Sequence, residues 1–244
     1  ADVQASLAAQ LARNGVTRSQ EIASALVPSS TRAFLEGGVA SQEAVRSITE
    51  WVTVPAGSAR LHAPIVDPGK FICIGLNYSD HAAETGNAIP KEPPIFAKWP
   101  NAIIDPGDPI LRPRGSKALD WEVELGVVIG RQARYVPREK ALDYVWGYTI
   151  INDASARDFQ MITSQWMAGK IFETAAPVGP YIVDRSEVSD PHSLSLKTFV
   201  NGKQMQNGNT KTFIFDVNYL VSYLSNLMTL MPGDLIATGT PPGV

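Results

Sequence analysis

The sequence predicts an α+β protein that is mainly β. Short apolar runs broken by Pro and Gly recur through its later part: "PIFAKW", "EVELGVVIG", "YVWGYTIIND", "PVGPYIV", "LSLKTFVNG" and "DLIATGT". Helical spacing is confined to the opening segments and to one long stretch, "DVNYLVSYLSNLMTL". A hairpin signature, Asn201-Gly202, sits between two strand-like runs.

Taken in order, residues 3–13 and 18–26 carry small and aliphatic residues at helical spacing, and Ser41 is expected to cap a third helix, "QEAVRSIT". "WVTVPAG", "ARLHAPIV" and "KFICIGL" then read as short β-runs. A soft boundary near Pro64–Lys70 divides a small N-terminal region, residues 1–65, from a main domain, residues 66–244. Within that domain the first hairpin strand ends at Val200, Asn201-Gly202 turns, and the chain resumes at Lys203. Asp216 is placed to cap the long amphipathic helix.

Composition excludes several classes. The chain is 44% hydrophobic and 18% charged with a formal net charge of −3, so nothing suggests a nucleic-acid partner. Arg131, Arg134, Arg138 and Lys140 read as the solvated end of a strand and the helix after it. No apolar run is long enough to span a bilayer. The opening "ADVQASLAAQLARNG" has neither a basic start nor a long apolar core, which makes a cytoplasmic setting the expectation. No initiator Met is present, consistent with removal of residues upstream. A lone cysteine, Cys73 in "FICIGL", excludes an intramolecular disulfide and reads as a buried, inert thiol. His62, His81 and His192 are too scattered to suggest a three-histidine zinc site. There is no glycine-rich phosphate loop and no G-x-S-x-G elbow, and the sequon at Asn77 reads as chance.

Carboxylates carry the chemistry. In "LDWEVELGVVIG", Glu122 and Glu124 are two apart, so on a strand both project to one face. An isolated Glu-x-Glu is more often a solvent-facing strand edge. Here the run continues into "VVIG", and the next β-run, "GYTIIND", ends in Asp153. If the two strands are neighbours, three carboxylates converge, and their mutual repulsion calls for a cation. A hard divalent ion with oxygen ligands, Mg²⁺ or Mn²⁺, answers that need.

Six segments in one order, "IGLNYSDHAAETG", "PIFAKWPNAI", "DWEVELGVVIG", "INDASARDFQ", "GKIFETAAPVGP" and "PGDLIATGTPPGV", resemble the fumarylacetoacetate hydrolase family across about residues 71–244. The first 65 residues carry no such marker. The resemblance implies a rolled β-sandwich core, a homodimer and one divalent metal held by Glu122, Glu124 and Asp153. It also implies that Arg157 and Gln160 contact substrate oxygens, that Tyr78 lies beside the substrate, and that Lys170 lies near the metal-bound oxygens. Thr240 matches a hydroxyl that binds the ligand carboxylate, and His81 with Glu84 matches the dyad of relatives with a mobile lid. Taken singly, each of these side chains is more often solvated or merely packed. Spacing supports the dyad independently, because residues three apart share a helix face. Such a pair orients the imidazole and raises its basicity. Family members generally run a few dozen residues past "GTPPGV", so the C-terminal end is expected to be incomplete.

Family substrates are 2-oxo acids or close relatives. The leading expectation is hydrolysis of a C–C bond in a 2,4-dioxo acid, an acylpyruvate or a diketo-deoxy sugar acid, to pyruvate and a carboxylic acid. "KWPNAII" and "SKALDWEVELG" tilt it toward the sugar-acid branch. The alternatives are oxaloacetate decarboxylation, isomerisation or decarboxylation of an aromatic ring-cleavage product, and a metal-stabilised binding protein without catalysis. The last has no use for a base, so His81 and Glu84 speak against it.

Overall fold

A computed structural model describes residues 2–244, which divide into two compact units, one ending at Leu61 and one spanning His62–Val244. The first unit holds four helices, Val3–Arg13, Ser19–Leu26, Thr31–Glu36 and Gly38–Arg46, around Leu7, Ala8, Ala23, Val27 and Ile48. Asp2 caps the first helix by accepting from Ala5 N at 2.9 Å, and Ser30 caps the third by accepting from Ala33 N. Ser41 is therefore not a cap. It lies inside Gly38–Arg46, buried against Gly37, where any side chain would collide with the Ser41 hydroxyl. The expected strands in "WVTVPAG" and "ARLHAPIV" are also absent: this stretch has one isolated pairing, Val52 with Asp2, and one 3₁₀ turn, Ala56–Ser58. Pro55 and Pro64 remove ladder donors there, and most of residues 51–62 face solvent, leaving β-like composition without a sheet to join.

The second unit is built on a six-stranded sheet in the order Ile95–Lys98, Phe71–Ile74, Leu235–Ala237, Val123–Ile129, Val145–Asn152, Val183–Asp184. Only Phe71–Ile74 with Leu235–Ala237 runs parallel. Val123–Ile129 is buried on both faces, which is why, Glu124 apart, its sequence carries no alternating polar residues. "PVGPYIV" forms two short pieces, Ala176–Pro177 and Val183–Asp184, split where Gly179 takes φ +123° and Pro180 offers no donor. The hairpin Ser195–Val200/Lys203–Asn209 turns at Asn201 (φ 51°) and Gly202 (φ 79°), the left-handed pair that a type I′ turn requires.

Helix Val217–Leu227 starts at Asp216, whose carboxylate accepts from Tyr219 N at 2.7 Å. Its residues Val217, Leu220, Val221 and Leu224 form a helical stripe in the same cluster as Leu125, Val127, Ile129 and Ile236. Burying a leucine of this stripe contributes about 1.5–3 kcal/mol. Asn77 ties this layer to the sheet: its side chain donates to Phe215 O and Thr238 O and accepts from Phe215 N. The side chain is wholly buried, so the sequon has no glycosylation role in the folded protein. Cys73 is buried as expected, and burial together with the Asp153 charge pushes its thiol up. Among the described residues, no helix is long and apolar enough to cross a membrane.

Candidate active site

The register of the two central strands builds the acidic cluster. Val123 pairs with Asn152, and Asp153 N donates to Glu122 O at 2.8 Å, so Glu122 and Asp153 face each other one residue beyond the ladder. Glu124 follows two residues along on the same face. One carboxylate oxygen from each of the three lies within 4.8 Å of the others. Their exposures of 6%, 1% and 0% decide against a solvated edge.

Buried or half-buried cations answer most of this charge. Lys170 Nζ donates to Glu122 Oε2 at 2.6 Å and Asp153 Oδ2 at 2.9 Å. Arg157 Nη1 meets Glu122 Oε1 at 2.6 Å, while its Nε donates to Asp120 Oδ2 at 2.8 Å. Asp120 reaches that position because Leu119–Asp120 pairs with Ser155–Ala156. Lys98 Nζ, on the sheet's outer strand, donates to Asp153 Oδ1 at 2.5 Å and to the Lys170 carbonyl at 2.6 Å. Four carboxylates thus meet three cations, and Glu124 is the one served only by a backbone donor, Gly239 N at 2.7 Å. Burial, then the charges of Asp153 and Glu122, push the Glu124 carboxyl well above the usual range. Burial acts on Asp153 in the same sense, yet the charges of Lys170 and Lys98 outweigh it and hold that carboxyl low. For Lys170, desolvation is outweighed by Asp153 and Glu122, so the ammonium persists. An all-oxygen donor set with negative charge in excess fits a hard divalent cation.

His81 and Glu84 share the helix Ser79–Thr85, and His81 Nδ1 lies 3.2 Å from Glu84 Oε2. Gly243 N also donates to Glu84 Oε2, at 3.2 Å. Glu122, Glu124, His81, Arg157, Gln160, Lys170 and Thr240 line one cavity of about 300 Å³, with Asp153 buried behind them. Thr240 donates its hydroxyl to Val123 O at 2.9 Å and accepts from Gln206 Nε2 at 2.8 Å, so it is already held by the hairpin. Tyr78 does not line this cavity. It is fully buried edge-on to Phe213, and burial with the charges of Glu124 and Asp80 pushes its phenol up. A somewhat larger apolar cavity of about 360 Å³ beside Tyr148, Tyr181 and Leu196 holds none of the acidic residues.

Sequence reasoning passed over Lys98, Asp120 and Gln206. A lysine inside the apolar strand "IFAK" was the available signal, since burying an ammonium requires a partner. Asp120 and Gln206 carry no such mark, because their partners come from 37 and 83 residues away.

A family model described as fumarylacetoacetate (FAA) hydrolase, C-terminal, matches residues 70–244. A relative from Burkholderia multivorans with a provisional hydrolase name is 54% identical over 190 residues, covering 78% of this chain and 67% of its own length. The crystal structure of 5-carboxymethyl-2-hydroxymuconate delta-isomerase from Mycobacterium smegmatis is 43% identical with a TM-score of 0.72, covering 80% of this chain and 76% of that one. Fumarylacetoacetate hydrolase from Exiguobacterium antarcticum is 42% identical with a TM-score of 0.70, covering 75% of this chain and 66% of that one. The match over most of its length shows that this chain belongs to the fumarylacetoacetate hydrolase family.

Proposed function

We propose that this chain is a metal-dependent hydrolase that cleaves a C–C bond of a 2,4-dioxo acid, an acylpyruvate or a diketo-deoxy sugar acid, yielding pyruvate and a carboxylic acid. The observation that carries the reading is a buried carboxylate cluster with one charge uncompensated, opening on the same cavity as a histidine backed by a glutamate. Glu122, Glu124 and Asp153 would hold Mg²⁺ or Mn²⁺, which supplies Lewis-acid stabilisation of negative charge developing on the 2-oxo oxygen.

Glu84, accepting from Nδ1, fixes the imidazole so that His81 Nε2 is the free base. In this role His81 takes a proton from water, which adds to the 4-oxo carbon. The bond between carbons 3 and 4 then breaks, the acyl group leaves as carboxylic acid, and pyruvate enolate is reprotonated at carbon 3. Two of the three Lys170 ammonium hydrogens go to Glu122 and Asp153, leaving one to donate to a substrate oxygen. Gln160 accepts from Arg157 Nη1 at 3.0 Å, which leaves its amide N–H₂ to orient the substrate carboxylate beside the guanidinium. The homodimer and the cytoplasmic setting belong to the same proposal.

A second reading, isomerisation or decarboxylation of a ring-cleavage dicarboxylate, is favoured by the name of the Mycobacterium smegmatis neighbour. Oxaloacetate decarboxylation is of the same kind, since neither needs a water nucleophile. A panel of 2-oxo and 2,4-dioxo acids assayed with Mg²⁺, following pyruvate and CO₂ separately, tests the choice. Pyruvate release without CO₂ supports hydrolysis; CO₂ release, or isomerisation alone, replaces it. Activity undiminished by excess chelator would remove the metal.

A further inference from the structure

We propose that Trp166 selects an apolar distal group, so that the preferred substrate is an acylpyruvate whose acyl chain ends in carbon, not in a carboxylate or a run of hydroxyls. This inference rests on the hydrolytic reading above and names the substrate class within it.

The cavity has a wall made for carbon. Trp166 lies against Gly75, where any side chain would collide with the indole, so the bare backbone beyond Phe71–Ile74 lets the ring lie down. Phe96 meets it edge-on, with ring centroids 5.8 Å apart at 71°. Ile74, Leu76 and Met161 extend the same lining, and Met161 is 72% exposed, an apolar side chain left at the rim. Burying methylenes against such a surface is favourable.

The cations are already committed. Lys170 is bonded to Glu122 and Asp153, and Arg157 to Asp120 and Glu122. With a divalent ion in the carboxylate cluster, the charges of this group leave a single positive excess, matched by one substrate carboxylate. A second carboxylate would be desolvated against Trp166 and Phe96 without a counter-charge, a heavy penalty. Thr85 and Asn87, also in the lining, are polar but neutral and cannot balance it.

The test uses two 2-oxo acids that lack a 4-oxo group and are not cleaved, 2-oxoheptanoate and 2-oxoheptanedioate, titrated calorimetrically into the Mg²⁺-loaded protein. The methyl-ended acid is expected to bind at least about tenfold tighter. Acylpyruvates of matched length ending in methyl, carboxylate or a polyhydroxylated chain should rank the same way in kcat/KM. Trp166→Ala should shrink the preference below about threefold, mainly through KM, and Trp166→Phe should restore most of it. If the carboxylate-ended or polyhydroxylated compounds do as well or better while 2,4-dioxo acids are still cleaved, the apolar assignment is overturned and the reaction stands. If no 2,4-dioxo acid is cleaved, the reaction falls and the inference with it.

Discussion

Replacing Glu124 with Gln should make the metal-free protein more stable while weakening its hold on a divalent ion. The carboxylate is buried, lies within 4.8 Å of oxygens on both Glu122 and Asp153, and has only the Gly239 N–H as donor. At that separation two like charges repel by about 3.5 kcal/mol at an effective dielectric of about 20. Lys170 offsets part of this, and partial protonation relieves more, so a net gain of about 1–3 kcal/mol is expected for a neutral isostere that keeps the acceptor for Gly239. The pH dependence has a definite sign. An unfolded glutamate titrates at about 4.3. Burial and the charges of Asp153 and Glu122 raise the folded value, so between the two the folded chain holds a proton that the unfolded chain has released. Wild-type stability is therefore lost as pH rises through this window, while the Gln variant escapes that loss. Urea unfolding in chelator at about pH 5 and about pH 8 should show a small advantage for the variant at the lower pH and a larger one at the higher. A variant that is no more stable at the higher pH, or an advantage that shrinks with pH, would refute the electrostatic reasoning.

Further outcomes follow from neighbouring contacts. Lys98→Met leaves Asp153 with one buried cation instead of two, and should cost about 3–5 kcal/mol in urea unfolding; a loss below about 1 kcal/mol would mean the ammonium is not needed there. His81→Ala should preserve calorimetric metal affinity while lowering cleavage of a 2,4-dioxo acid by about 10²–10⁴-fold; undiminished turnover would remove the dyad from the reaction. Asn77→Ala strips partners from Phe215 N, Phe215 O and Thr238 O, and should cost about 2–4 kcal/mol by thermal or urea unfolding, since orphaned buried groups are expensive.

What was legible in the sequence was local. The Asn201-Gly202 turn and the Asp216 cap are settled by residues within a few positions, and both form at the expected places. The carboxylate cluster needed one long-range assumption, that two successive β-runs pair, and hairpin-like neighbours commonly do. Ser41 misled because Ser is a good cap wherever a helix begins, and the chain had already turned helical at Gly38. "WVTVPAG" misled because β-composition expresses a fit to a pleated surface, and no sheet receives it. Lys98 and Gln206 were invisible because their partners are set by folding, not by spacing.

The central claim is tested most directly by titrating Mn²⁺ into chelator-stripped protein in a calorimeter, beside the Glu122→Ala variant. One ion per chain for the wild type, with affinity lower by at least about 100-fold in the variant, is the predicted result. Equal affinity in the two proteins, or no binding to either, would contradict it.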